Sequence, residues 1–161
     1  TKAAPFGHAL VELAKTRPDL VGLTADLSKY TDLHIFANAH PDRFYQMGMA
    51  EQLLMATAAG MAREGLMPFA TTYAVFASRR AYDFICLAIA EDNLNVKICC
   101  ALPGLTTDIL SRSGLGVAVD PNDQPGIKKA LRDLYLRWRE GGGDSPPLMP
   151  LQFGRSPFSV A

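Results

Sequence analysis

The stretch Phe44–Gln52 reads Phe-Tyr-Gln-Met-Gly-Met-Ala-Glu-Gln. An aromatic, strand-like segment stops at Gly48, and a single carboxylate, Glu51, follows in the first turn of an apolar helix. A solvated carboxylate at a helix N-terminus contributes only about 0.3–1 kcal/mol to stability. In an apolar cleft the same group can act as a general acid. Glu51 is therefore the first candidate for a catalytic residue.

Strand and helix signals alternate along the rest of the chain. Strands are predicted at residues 20–25, 44–49, 66–72, 96–102, 115–119 and 148–153. Helices are predicted at residues 5–15, 33–39, 51–63, 76–90 and 127–138. Continuously apolar strands are typical of a parallel sheet that is covered on both faces. The sequence thus predicts a three-layer, doubly wound α/β fold, with a mostly parallel sheet of about six strands and helices on both faces.

The polar and aromatic candidates for a binding site lie at the carboxyl ends of the predicted strands. In doubly wound folds, ligands bind beyond the carboxyl ends of the strands. The residues at these positions are Asp26, Gly48 to Glu51, Tyr73 to Phe76, Pro103 to Thr107 and Asp120. Tyr73 and Phe76, three residues apart at the predicted opening of a helix, can present one face to a flat ring. Ordinary core packing explains this pair equally well.

Composition narrows the classes of partner. The 161 residues are 48% hydrophobic, which suits one globular domain, and the 16 basic and 16 acidic residues balance. A balanced charge gives no general attraction for nucleic acid or an anionic membrane. No apolar stretch reaches the length of a membrane span. Cys86, Cys99 and Cys100 lack metal-ligand spacing. We therefore expect a cytoplasmic protein with no nucleic-acid or membrane partner.

A family resemblance comes from three segments that follow one another in a characteristic order and spacing. They are Ala25-Asp26-Leu27, the Met-Gly-Met-Ala-Glu-Gln run, and Phe-Ala-Thr-Thr-Tyr-Ala-Val-Phe-Ala-Ser-Arg-Arg-Ala-Tyr-Asp at residues 69–83. This pattern resembles the pyrimidine-binding domain of transketolase-like thiamine-diphosphate enzymes. Residues 99–107 are similar to that domain's next strand and loop, and residues 119–123 and 153–157 to its last strand ends. We expect residues 1–161 to form one such domain.

The resemblance implies a role for each matching residue. Glu51 would donate a hydrogen bond to the pyrimidine N1′ of thiamine diphosphate, and Tyr73 and Phe76 would stack around that ring. Asp26 would lie near the thiazolium or the substrate, and Arg155 would bind the anionic end of a sugar-phosphate substrate. The implied reaction is the transfer of two-carbon ketol units between sugar phosphates. A purely structural role is the alternative for two of these residues. Asp26 would then cap the next segment, and Arg155 would be a solvated surface charge.

The chain departs from the family pattern in two places. Between Thr107 and Asp108, roughly ten residues of a histidine-containing loop have no counterpart, and we expect that segment to be missing here. The Gly-Asp-Gly and Asn pattern that binds the diphosphate and Mg²⁺ is also missing from this sequence. The resemblance therefore implies a diphosphate-binding partner domain or subunit that holds the metal. The expected assembly is a homodimer or a heterotetramer.

Other functions share the same motifs. Residues 79–83, Arg-Arg-Ala-Tyr-Asp, are similar to deoxyxylulose-phosphate synthase. That enzyme and the 2-oxo acid dehydrogenases are the alternatives within the same class. An alternative from another class is a non-catalytic interaction module of the same fold.

Overall fold

A computed structural model describes residues 4–101, 117, 119–120, 123–140 and 151–152. Its helices are α1 (Pro5–Ala14), α2 (His34–Ala39), α3 (Glu51–Arg63), α4 (Tyr82–Phe84) and α5 (Gln124–Glu140). Its strands are β1 (Leu20–Thr24), β2 (Phe44–Gln46), β3 (Met67–Tyr73), β4 (Lys97–Ala101) and β5 (Leu151–Gln152). The remaining elements are a 3-10 turn at Pro41–Arg43 and two π-helices, π1 (Phe76–Arg80) and π2 (Ile85–Ala90).

The described strands form one sheet in the order β2-β1-β3-β4-β5, and every neighbouring pair is parallel. The predicted doubly wound, parallel fold is confirmed. β2 pairs with β1 on one side, and β3, the next strand along the chain, pairs with β1 on its other side. This reversal creates a crevice at the carboxyl ends of β1 and β3, the place where such sheets bind ligands. The strand predicted at 115–119 lies mainly outside the described residues.

Helical segments cover both faces of the sheet. Met67 and Phe69 of β3 point into a core formed with α1, α2 and α5. Ala70, which directly follows Phe69, points to the opposite face, into a second core formed with α3 and the two π-helices. Cys99 and Cys100 of β4 point to opposite faces, as predicted, and burial raises the pKa of both thiols.

The bounds of α3 agree with the sequence prediction, whereas β2 is shorter than predicted. Gly48 has a φ of +66° and turns the chain away from the sheet just after Gln46. This turn delivers Glu51 to the first position of α3.

The predicted continuous helix at 76–90 is wrong in its geometry, because two π-helices flank the short α4. The reason is the spacing of its buried side: Ala77, Ala81 and Ile89 are buried and Ile85 is packed against them, always four residues apart. In an α-helix of 3.6 residues per turn, each step of four rotates the stripe by about 40°. The wider turns of π-helices reduce this drift and keep the stripe on the core.

Within the described part of the chain, no helix is both long and apolar enough to cross a membrane.

Candidate functional site

Glu51 is a buried carboxylate at the edge of the sheet. It opens α3, where the backbone N–H groups of the first turn lack intrahelical partners, and it is only 2% exposed. The preceding Ala50 supplies no side-chain cap. An acidic side chain is electrostatically favoured at this end of a helix. The predicted candidate therefore lies in a sheltered position rather than on the solvated surface.

One guanidinium joins Glu51 to the aromatic residues. Arg80 Nη1 donates to both carboxylate oxygens of Glu51, at 3.1 Å and 3.0 Å. Arg80 Cζ lies 4.1 Å from the centroid of the Phe76 ring, in a cation–π contact. Phe76 and Arg80 are the first and last residues of π1, about one turn apart, and so share a face. A carboxylate and an aromatic face thus both lie within reach of one planar group.

Tyr73 and Phe76 are neighbours, but not through a shared helix. Tyr73 ends β3 and Phe76 begins π1, on the two sides of a sharp strand-to-helix turn. Their ring centroids are 6.2 Å apart and the planes are tilted by 39°. Tyr30 meets Tyr73 edge-on, with centroids 6.3 Å apart. The structure therefore brings three aromatic rings together at the carboxyl end of the central strands.

Asp26 lies at the end of β1 beside Gln46, the last residue of β2. Gln46 Oε1 accepts hydrogen bonds from the backbone N–H groups of Asp26, at 2.8 Å, and Gly48, at 3.2 Å. Asp26 has a left-handed backbone, with φ of +60°. Its carboxylate is exposed at the same sheet edge as Glu51 and Tyr73.

One buried hydroxyl at this edge is unsatisfied. Thr72 precedes Tyr73 and its Oγ1 has no hydrogen-bond partner within the described structure. Thr72 is fully buried and points to the face of the sheet that α3 covers, because it alternates with Thr71. Buried hydroxyls nearly always find a partner in folded proteins, so Thr72 is an unusual feature of this edge.

The remaining predicted positions are Arg155, residues 103–107 and Asp120. Arg155 and the 103–107 segment lie outside the described residues. Asp120 is described and exposed, at a distance in sequence from the other candidates. No group of three or more His, Cys, Asp or Glu side chains in the described ranges is suited to bind a metal ion.

Comparison with known proteins identifies the family. The model of the transketolase pyrimidine binding domain matches residues 2–115. The chain belongs to the transketolase pyrimidine-binding domain family. An uncharacterized transketolase family protein of Sinorhizobium fredii, y4mN, is 63% identical over 173 residues, which cover 96% of this chain and 49% of that protein. A 1-deoxy-D-xylulose-5-phosphate synthase from Leifsonia xyli is 33% identical, over 96% of this chain and 25% of the relative. The chain therefore spans half the length of these curated relatives or less.

Solved structures agree with this family. The chain superposes on a split-gene transketolase, solved as an inactive β4 tetramer, with a TM-score of 0.72 and 34% identity. That match covers 98% of this chain and 52% of the other. The transketolase of Leishmania mexicana gives a TM-score of 0.67 at 19% identity, which shows the shared fold. The predicted resemblance to the pyrimidine-binding domain is confirmed.

The sequence patterns did not identify two residues, Arg80 and Gln46, that make contacts at this edge of the sheet. Arg80 was singled out only within the Arg-Arg-Ala-Tyr-Asp run, although its spacing of four from Phe76 is a helical-face signal. Gln46 was read as part of a strand. A carboxamide just before a turn glycine, next to a second strand end, was the available signal for it.

Proposed function

We propose that this chain supplies the pyrimidine-binding half of a thiamine-diphosphate-dependent enzyme that transfers two-carbon ketol units between sugar phosphates. The observation that carries the proposal is the buried Glu51 carboxylate, which Arg80 joins to the Phe76 ring, with Tyr73 next to that ring. A flat nitrogen heterocycle needs this combination, an aromatic face to stack on and a carboxyl group for a ring nitrogen.

The residues of the described edge fit one half of the cofactor. Glu51 would form the hydrogen bond to the pyrimidine N1′, and Tyr73 and Phe76 would pack against the ring. Asp26 is exposed at the same edge, and would lie near the thiazolium or the substrate. When bound, thiamine diphosphate supplies the electron sink that two-carbon transfer requires. The work of this chain is to orient the ring and to keep its nitrogen hydrogen-bonded away from water.

The other half of the cofactor needs a partner. A diphosphate and its Mg²⁺ require backbone donors and a cluster of oxygen ligands, and the described residues contain no metal-binding cluster. The similar split-gene transketolase was solved as an inactive β4 tetramer. This supports an enzyme whose active site is completed by a separate diphosphate-binding polypeptide or domain. Arg155 is proposed as the substrate-phosphate ligand on the family pattern alone.

The length of one alignment supports the expectation that this chain lacks a segment present in its relatives. The alignment with y4mN runs over 173 residues, more than the 161 residues of this chain. The relative therefore has positions for which this chain has no residue. The cysteine pattern supports a reducing, cytoplasmic location, since all three thiols are free.

A second candidate function is deoxyxylulose-phosphate synthesis. A synthase from Carboxydothermus hydrogenoformans is 46% identical over 91 residues, which cover 56% of this chain and 14% of that protein. Ketol transfer is the first choice because the match to the transketolase family protein is higher and covers nearly the whole chain.

The test is the Glu51→Gln variant in the complex of this chain with the polypeptide that carries Gly-Asp-Gly and Asn. Gln keeps the size of the side chain but has no acidic proton, so we expect ketol transfer to fall by at least about 100-fold. Glu64→Gln, at the exposed end of the same helix, is the matched control and should retain activity. Full turnover in the Glu51→Gln complex would exclude the catalytic role.

Two substrate pairs, given separately to the same complex, distinguish the two candidate reactions. The first pair is two sugar phosphates, and the second is a 2-oxo acid with an aldose phosphate. Carbon dioxide release with the second pair alone would favour the synthase.

A further inference from the structure

Arg80 makes two contacts at once, and both lie at the proposed cofactor position. Its Nη1 bonds both carboxylate oxygens of Glu51, and its guanidinium carbon is 4.1 Å from the centroid of the Phe76 ring. Glu51 is buried, whereas the Arg80 side chain is 46% exposed. Glu51 is therefore the buried partner of the ion pair, whereas the half-exposed Arg80 side chain has space to move into solvent.

The guanidinium resembles an aminopyrimidine in shape and bonding. It is planar and delocalised, stacks on aromatic faces, and presents N–H donors in its own plane to a carboxylate. The pyrimidine ring of the proposed function needs the same aromatic face of Phe76 and the same carboxylate of Glu51. At 4.1 Å the guanidinium leaves no room for a second planar group on that face. Arg80 and the ring cannot occupy the site together.

We propose that Arg80 is a displaceable latch that fills the pyrimidine position until the cofactor enters. This inference rests on the proposed function. The latch neutralises the Glu51 carboxylate and covers Phe76 in the absence of cofactor, and it swings into solvent when the ring arrives. Cofactor binding must then break the Arg80–Glu51 ion pair, so the apparent affinity is lower than that of the opened site by the fraction of open molecules.

The latch predicts an unusual response to salt. The probe is 4-amino-5-hydroxymethyl-2-methylpyrimidine, the pyrimidine half of the cofactor without its diphosphate, which needs only this chain. The affinity of an uncharged ligand does not normally increase with ionic strength. A half-exposed ion pair is weakened by salt, so the probe should bind the unchanged chain more tightly as salt is raised.

Arg80→Met tests the latch directly by titration calorimetry. Met removes the charge and the planar fork, so we expect the probe to bind at least about ten-fold more tightly and to lose its salt dependence. Arg79→Met, at the neighbouring exposed arginine, is the matched control and should bind the probe as the unchanged chain does. Arg80→Lys covers the case in which Arg80→Met does not fold: it retains the charge without the planar stack, and should also bind the probe more tightly.

A signal from the latch itself completes the test. The side-chain Nε–H resonance of Arg80 should shift toward that of a solvated arginine as the probe is added. Probe binding that depends on Glu51, but is unchanged or weaker in Arg80→Met, would overturn the latch and leave the proposed function standing. Absence of probe binding in every variant, or binding that Glu51→Gln does not affect, would overturn both.

Discussion

Gln46 binds Asp26 through both ends of its carboxamide. Its oxygen accepts the Asp26 backbone N–H at 2.8 Å, and its nitrogen donates to Asp26 Oδ1 at 3.4 Å. The same oxygen accepts the N–H of Gly48. One side chain therefore ties the end of β1 to the turn that leads into Glu51.

Gln46→Glu should destabilise the chain by about 1 kcal/mol, because it keeps the acceptor but places a second carboxylate beside Asp26. Gln46→Met removes the hydrogen bonds without adding charge and serves as the control. Denaturant unfolding at about 1 M salt, where the Debye length falls to about 3 Å, should restore stability only to the Glu variant. Equal responses of the two variants to salt would contradict the proposed role of this contact.

Thr71 and Thr72 are adjacent and both fully buried, but we expect opposite effects from replacing them with valine. Thr71 Oγ1 donates to Leu23 O at 3.2 Å and lies 3.0 Å from Thr31 Oγ1, whereas Thr72 Oγ1 has no partner in the described structure. Thr72→Val should raise the free energy of unfolding by about 1 kcal/mol, and Thr71→Val should lower it by about 1–2 kcal/mol. A loss of stability in Thr72→Val would show that its hydroxyl has a partner in solution.

Gly7 and Gly60 are both helical glycines and offer a second matched pair. A Cβ on Gly7 would lie 2.2 Å from the backbone oxygen of Asp32, whereas a Cβ on Gly60 would meet nothing within 4 Å. Gly7→Ala should therefore destabilise the fold by about 1–3 kcal/mol. Gly60→Ala should stabilise it by about 0.5–1 kcal/mol, because alanine is the better helix former. Melting temperatures that move in the same direction would refute the tight approach of α1 to Asp32.

Lys97 should make a contribution to stability that grows with pH above about pH 8. Its side chain is buried on β4 and donates to Asn95 Oδ1, and burial lowers its pKa to about 8 from 10.5. Above pH 8 the folded chain loses this proton while the unfolded chain still binds it. This difference adds about 1 kcal/mol to the free energy of unfolding between pH 8 and pH 9.

The buried thiols act in the opposite sense over the same pH range. Burial raises the pKa of Cys99 and Cys100, so above about pH 8 the unfolded chain releases thiol protons that the folded chain retains, and this lowers stability. The contribution of Lys97 is therefore measured as a difference between variants from about pH 8 to pH 9. In denaturant unfolding, the stability of Lys97→Met should fall by about 1 kcal/mol relative to the unchanged chain across this range, whereas the exposed control Lys15→Met should follow the unchanged chain. Parallel pH profiles of Lys97→Met and the unchanged chain would assign the effect to another group.

The sequence predicted what depends on local pattern. Apolar runs between turn signals located the parallel strands, and the bounds of α3 followed from Gly48 before it and the apolar stripe within it. Glu51 was found because its strand, turn and helix are contiguous in sequence. Gln46 and Arg80 were missed because their partners lie 20 and 29 residues away, across elements whose register the pattern does not specify.

The helix predicted at 76–90 shows a different limit. Its strict spacing of four was visible in Ala77, Ala81, Ile85 and Ile89, but a spacing of four is compatible with the ordinary helical period over a short window. Only the structure shows that the helical turns widen into π-helices, which keeps these four apolar residues packed against the core with α3.

The wide turn of π1 also decides how this segment tolerates a change in length. A residue removed from an α-helix rotates everything that follows by about 100°, the advance of a single residue. A π-turn closes its hydrogen bond over one residue more than an α-turn does, so one residue fewer between Phe76 and Arg80 would let π1 relax to an α-helix while the residues that follow keep nearly the same orientation. A lineage can therefore lose one residue at π1 at a lower cost than within a regular helix such as α3.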